Sequence, residues 1–298
     1  AITFGIVTTY MFLPVGFGRI FLHDILYKNI TEAGLDVSGV NPTAAMAIPA
    51  ASMLVGCLIA LLFSYRGRRE YEDRSDSFGR PADQPIDMKR VWAALAAIVL
   101  CFVIQTWLTL AESEADPLLM GAIVGLCVML SMRVVPWQQA NDIFSTGMKM
   151  MAMIGLIMIA AQGYASVLKA SGQIEPLVTG TAAVFSGSKA LAAFVMLLVG
   201  LVITMGIGSS FSTLPIISAI YVPLCVTLGF SPIATVAIIG TAGALGDAGS
   251  PASDSTLGPT TGLNVDGQHD HMRDTVIPTF LHYNVPLLVG GWIAAMVL

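Results

Sequence analysis

GTAGALGDAGSPASDSTLGPTTGL, residues 240–263, is the stretch whose reading decides the fold. It continues an apolar run, 233–239, without any charged residue between them. Within it, however, stand glycines, prolines, hydroxyl side chains and two carboxylates, Asp247 and Asp254. Glycine and proline oppose a continuous helix. In hydrocarbon an unsatisfied backbone group costs several kcal/mol, so such a segment persists at membrane depth only where protein wraps it or a wet cavity meets it. Carboxylates on broken backbone at that depth point to a site for ions or small polar solutes.

Working outward, the composition agrees. Of 298 residues, 55% are hydrophobic and 11% charged, and the mean hydropathy is +0.78. Soluble domains carry about 25% charged residues, so an all-α polytopic membrane protein is expected, with the lipid bilayer as its first partner. The net charge of −5 and the lack of a basic stripe speak against nucleic acid. Cys57, Cys101, Cys127 and Cys225 fall singly in apolar runs, which suits buried thiols rather than disulfides or a metal knuckle. There is no GxxxxGK[ST] loop and no nucleophile elbow, so neither a primary pump nor an enzyme is expected, and no cofactor beyond a coupling ion, Na+ or H+. The chain opens on Ala1 inside an apolar run, and an N-terminal part is expected to be missing.

Candidate spans follow by length, since about 20 apolar residues cross the hydrocarbon core. Residues 2–22 read as a kinked span or one arm of a re-entrant hairpin, with 25–42 a polar connection. Residues 44–63, 91–110, 118–135, 150–168 and 285–298 read as further spans, Pro49 kinking the first and 136–144 forming an interfacial helix. The segment 191–229 is too long for one upright span. Residues 64–90 carry seven of the fourteen basic residues and read as a cytoplasmic linker. LVGCLIAL (54–61) echoes LVGGWIAA (288–295). This suggests 1–63 as the end of a first transmembrane repeat and 91–298 as a second, with breaks at 206–215 and 240–262 and the site between repeats.

At the later break, Asp247 and Asp254 are candidate Na+ or proton sites, with Ser250, Ser253, Ser255 and Thr256 able to complete an oxygen shell. The plainer alternative is that Asp247, Ser253 or Asp254 caps a half-helix. At the earlier break, Gly208, Ser209, Ser210, Ser212 and Thr213 could present free amides to an anion, or simply let helices pack closely. His269 and His271 with Asp266, Asp270 and Asp274 admit a metal site, although a solvated or gating loop is the plainer reading. His282, Tyr283 and Asn284 read as packing or interfacial residues.

GDAGSPASDST (246–256) resembles the G-D-x-x-S-P-x-S-D-[ST]-T signature of the NhaC-type sodium/proton antiporter family of the ion transporter superfamily. GIGSSFSTLPIISAIYVPL (206–224) resembles that family's first broken-helix motif. The longer form, 246–271 with Thr279 to Asn284, is similar to an amino-acid-transporter-like branch. The resemblance implies an inverted-repeat secondary transporter of the bacterial inner membrane, with Asp247, Ser250, Ser253 and Asp254 at a hairpin site and Gly208, Ser209, Ser210 and Ser212 at the partner break. Two functions are expected from it: Na+/H+ antiport, or cation-coupled uptake of an amino acid or similar solute. A homodimer is admitted as a way to complete the site.

Overall fold

The computed structural model describes residues 1–67, 87–111, 113, 115–185, 188–264 and 267–298. Most of the expected basic linker therefore lies outside the described residues, as do Glu112, Glu114 and Asp266. The described residues form helices and no strand: α1 Ile2–Phe12, α2 Phe17–Glu32, α3 Pro42–Ser64, α4 Met88–Leu110, α5 Pro117–Ser131 and α6 Trp137–Ala170. There follow α7 Ile174–Val184, α8 Lys189–Ile207, α9 Ser210–Leu228, α10 Pro232–Ala244, α11 Asp254–Leu263 and α12 His271–Val297. Six of the described spans are long and apolar enough to cross a membrane, seven if α1 and α2, bent by 56°, count as one. This is a multi-pass membrane protein.

The helix ends follow from local chemistry. Three helices start on a capping residue followed by proline, whose missing N–H costs nothing in the first turn. Asn41 accepts from the Ala44 amide at 3.1 Å before α3, Asp116 from Leu119 at 2.9 Å before α5, and Ser231 from Ala234 at 3.1 Å before α10. Both α8 and α9 stop at a glycine in the left-handed region, Gly208 at φ 75° and Gly229 at φ 74°.

Several boundaries differ from the sequence expectation. The bent first pair runs on to Glu32, because Ile25, Leu26 and Ile30 are buried and keep 25–32 helical rather than a polar connection. Residues 136–144 are not a separate interfacial helix; Trp137–Ala170 is one continuous helix of 34 residues, with no proline to interrupt it. The last helix begins at His271 rather than 285: Pro278 and Pro286 are accommodated where widened π turns, His271–Val276 and Phe280–Asn284, alternate with α turns. The segment 191–229 resolves into two helices, α8 and α9, separated at Gly208 and Ser209, so the earlier break is narrower than 206–215. The later break is narrower too. Gly240 and Gly243 stay helical in α10, where a Cβ would meet Met46 Sδ at 2.7 Å and Leu214 Cδ2 at 2.8 Å; they serve close approach rather than chain breaking.

The chain divides into two compact units. One comprises 15–17 and 75–157. In it α4 and α5 pair along small residues: a Cβ on Gly121 would lie 2.9 Å from the Cys101 carbonyl oxygen, and buried Gln105 donates to Cys101 Sγ at 3.3 Å. The other unit comprises 1–14, 18–74 and 158–298, and has α10 at its centre. Helices α2, α3, α8, α9 and α12 pack around α10, and every residue from Ala234 to Ala244 is buried. Ninety-four per cent of the most apolar window of 232–263 is buried, against 17–56% for the other spans, so this segment is wrapped by protein rather than by lipid. The helices that carry the two echoing segments, α3 and α12, pack antiparallel, each segment lying against the other helix outside its echo: a Cβ on Gly56 would lie 1.8 Å from the His282 carbonyl oxygen, and one on Gly290 2.1 Å from Ser52 Oγ.

Candidate functional site

Between α10 and α11 the chain turns twice inside the protein. Leu245 is extended, Gly246 takes φ 85°, and Asp247–Gly249 makes one 3-10 turn before Ser250 extends again. Gly246 has no alternative here. Its φ favours glycine, and a Cβ would lie 2.5 Å from the Met205 amide nitrogen and 2.8 Å from the Leu201 carbonyl oxygen. Ser250 Oγ donates to the Met205 carbonyl at 2.8 Å, so the turn is seated on the last turn of α8. Gly208 comes equally close: its Cβ would lie 2.8 Å from the Ala252 carbonyl oxygen. The structure thus brings the two glycine- and serine-rich breaks against each other.

Asp247 projects into this junction and is 7% exposed. Tyr10 Oη donates to its Oδ2 and Ser253 Oγ to its Oδ1. The Tyr10 hydroxyl also lies 2.8 Å from Ser210 Oγ, which ties α1, the start of α9 and the carboxylate into one cluster. Ser255 Oγ donates to the Asp247 carbonyl at 2.6 Å. Thr256 Oγ1 donates to the Ser253 carbonyl at 2.9 Å and to the Ser250 carbonyl. No Lys, Arg or His among the described residues lies within ion-pair reach of Asp247; its hydrogen-bond partners are hydroxyls.

Ser253 also caps α11, accepting from the Ser255 amide at 3.1 Å, so capping and site-building use the same atom. Asp254 is placed differently from Asp247: it is exposed, in the first turn of α11, where a negative charge suits the helix end. At the earlier break, Ser209 begins α9 without a side-chain cap. Ser212 Oγ is 3.4 Å from Ser209 Oγ, and Thr213 Oγ1 donates back to the Ser209 carbonyl at 2.9 Å. Ser210, Ser212 and Thr213 are buried.

Two participants were not expected. Tyr10 is a lone phenol in an apolar helix, and its only sequence signal is that it is the one strong polar handle of 2–12. Its ring packs on Phe21 and Phe211 with centroids 4.9 and 5.7 Å away, which aims the hydroxyl at Asp247. Asn284 is 1% exposed and lies beside the hairpin, its Nδ2 2.8 Å from where a Gly249 Cβ would stand. Among the described residues neither of its amide atoms has a partner, and the same holds for Ser218 Oγ and Thr241 Oγ1. No group of three or more His, Cys, Asp or Glu able to hold a metal occurs among the described residues.

The model of the Na+/H+ antiporter family matches residues 1–292. The chain is 50% identical over 299 residues to an uncharacterized membrane protein of Vibrio parahaemolyticus and 49% identical over 305 residues to one of Haemophilus influenzae. It is 48% identical over 297 residues to a Bacillus subtilis protein provisionally named amino acid transporter YuiF. Each match covers 100% of this chain and 66% of the relative, so the chain spans just under two thirds of their length. No solved structure matches significantly.

Proposed function

The chain belongs to the Na+/H+ antiporter family, and from that premise we propose that the full-length protein is a secondary transporter of the bacterial inner membrane. In it Asp247 binds Na+ and H+ in turn. The observation that carries this reading is a buried carboxylate whose hydrogen-bond partners, Tyr10 and Ser253, are neutral hydroxyls. A buried charge without a countercharge costs several kcal/mol. A mobile cation or a proton can supply that neutrality, and the two exclude each other at one carboxylate. Gly246 and the Gly208–Ala252 approach hold the hairpin against α8, so the carboxylate is presented by rigid backbone. The unpartnered amide of Asn284 offers a further oxygen on the hairpin's α12 side. Asp254 sits on the exposed side, where it would draw cations inward without holding them.

A second reading, cation-coupled amino acid uptake, is favoured by the uncapped start of α9 at Ser209. Helix N-termini bind carboxylates, and the Bacillus relative's name points the same way. Purified full-length protein in proteoliposomes separates the two. Under an imposed Na+ gradient, antiport predicts proton movement in the absence of any organic solute. If labelled amino acid must be present for Na+ to move, the second reading replaces the first; if neither flux occurs, both fail.

A further inference from the structure

The histidine loop before α12 is joined to the hairpin by a row of hydrogen bonds. His269 Nε2 lies 2.7 Å from Thr275 Oγ1, Thr260 Oγ1 donates to Thr275 Oγ1 at 2.9 Å, and Thr260 Oγ1 lies 2.8 Å from His271 Nδ1. On its far side, His271 Nε2 lies 2.8 Å from the Pro251 carbonyl oxygen. The two threonines, Thr275 and Thr260, are 5% and 8% exposed, whereas both imidazoles are only half-buried.

Hydrogen counting fixes what this row can do. A carbonyl only accepts, so His271 Nε2 carries a hydrogen whatever the ring's charge. The remaining three links need three hydrogens. The two hydroxyls supply two, and the third comes either from His269 Nε2 or from His271 Nδ1. In the neutral row it comes from His269, and each hydroxyl donates towards His271; the donation from Thr260 to Thr275 seen in the structure is that of the reversed row, in which His271 Nδ1 supplies the third hydrogen. A proton added from water to His269 Nδ1 allows every link to reverse. His269 Nε2–H passes its hydrogen to Thr275, Thr275 passes its own to Thr260, and Thr260 passes its own to His271 Nδ1. His269 is left neutral and His271 becomes an imidazolium, with three hydrogens still in three links. A second proton would put four hydrogens there and leave one donor without an acceptor.

We propose that His269, Thr275, Thr260 and His271 form a one-proton transfer line between the loop at 267–271 and the hairpin at Pro251, separate from the Asp247 site. Its substrate is the proton. Arrival of the charge at His271 turns the link to Pro251 into a charge-assisted bond, which is shorter and roughly twice as strong as a neutral one. Protonation of the loop therefore tightens the hold on the hairpin. Among the described residues, the titratable and charged groups on the elements around the line are Asp254 at the start of α11, and Asp270, Arg273, Asp274 and His282 on or beside α12. Asp247 in the hairpin, Tyr10 on α1, the Ala1 amine just before that helix, Tyr65 beyond α3 and Tyr283 on α12 complete the set. Asp270 accepts from the Arg273 amide at 2.7 Å and Asp274 from the Asp270 amide at 2.9 Å, so these two carboxylates are engaged with the helix start.

The test is proton counting by ring-nitrogen NMR on full-length, histidine-labelled protein in lipid vesicles, which reads the same whether or not Asp247 exchanges cations. In the wild type, the His269 and His271 rings should respond together to a single proton. A second proton should bind at least about tenfold more weakly. Thr260→Val cuts the row, and the two rings should then titrate separately with two protons; Thr260→Ser should restore the shared one. Thr275→Val cuts the row at another link and should reproduce the outcome of Thr260→Val independently. Separate midpoints in the wild type, or an unchanged shared midpoint in both valine variants, would overturn the proposal.

Discussion

Replacing Asp247 with Asn removes one negative charge and little else. Oδ1 still accepts from Ser253, and Nδ2 takes the place of Oδ2 opposite Tyr10. The Tyr10 hydroxyl can then accept from Nδ2 and donate to Ser210 Oγ, already 2.8 Å away. Every link at the junction survives, with the polarity of two of them, between Tyr10 and residue 247 and between Tyr10 and Ser210, reversed. In the wild type two charge-assisted hydrogen bonds, about 1.5–3 kcal/mol each, stand against a desolvation cost of several kcal/mol for the buried ion. These terms nearly cancel, so Asp247→Asn should change stability by about 1 kcal/mol, a melting shift of about 2–4 °C. Transport responds quite differently. An amide cannot exchange a proton and offers a cation no countercharge; losing about 3 kcal/mol of that interaction lowers Na+-driven flux by about 100-fold. The pair of measurements is the melting temperature of purified full-length protein and the rate of lumenal pH change in proteoliposomes under a Na+ gradient. An Asn variant that melts normally and still moves protons at the wild-type rate would refute the assignment of Asp247 as the exchanging group.

The neighbours of Asp247 should separate into distinct phenotypes. Tyr10→Phe keeps the ring stacking on Phe21 and Phe211 but removes the donor that steadies the empty, ionised carboxylate; loaded states gain by comparison, so the Na+ KM should not rise while turnover falls about tenfold or more. A raised KM with full turnover would contradict this. Gly246→Ala should be the most damaging to folding, since left-handed strain of about 1–2 kcal/mol adds to a collision with Met205 and Leu201 backbone; a normal melting temperature in detergent would show that the turn relaxes freely. Asp254→Asn should retain most of the maximal flux with a weaker apparent Na+ affinity, and complete loss of flux would place Asp254 in the cation shell itself.

Much of this was legible because bilayers impose simple arithmetic on sequence. Residues 91–110 and 44–63 read as continuous apolar stretches of the right length, and the helices Met88–Leu110 and Pro42–Ser64 contain them. The hairpin announced itself through Gly246, Pro251 and two carboxylates in a run otherwise fit to span. What escaped was set by tertiary contact. Gly240 and Gly243 look like breakers but are spacers, and only the positions of Met46 and Leu214 reveal it. The helix start at His271 depends on π turns that absorb Pro278, which no simple periodicity displays. Tyr10 escaped for the same reason: it lies 237 residues from its carboxylate partner, a separation that a chain read in order cannot bridge.

The hairpin is held very unequally on its two sides. Towards α8 it is wedged: backbone meets backbone at Gly246 and Gly208, with Ser250 bolted to the Met205 carbonyl. Towards α1 it packs side chain to side chain, and its hydrogen bond there is the one that the Tyr10 phenol donates to Asp247. The consequence is mechanical: the backbone wedge ties the hairpin to α8 and, at Gly249, to Phe280 of α12. A shift of α1 against the hairpin therefore meets side chains alone, while a shift of α8 or α12 carries the hairpin with it.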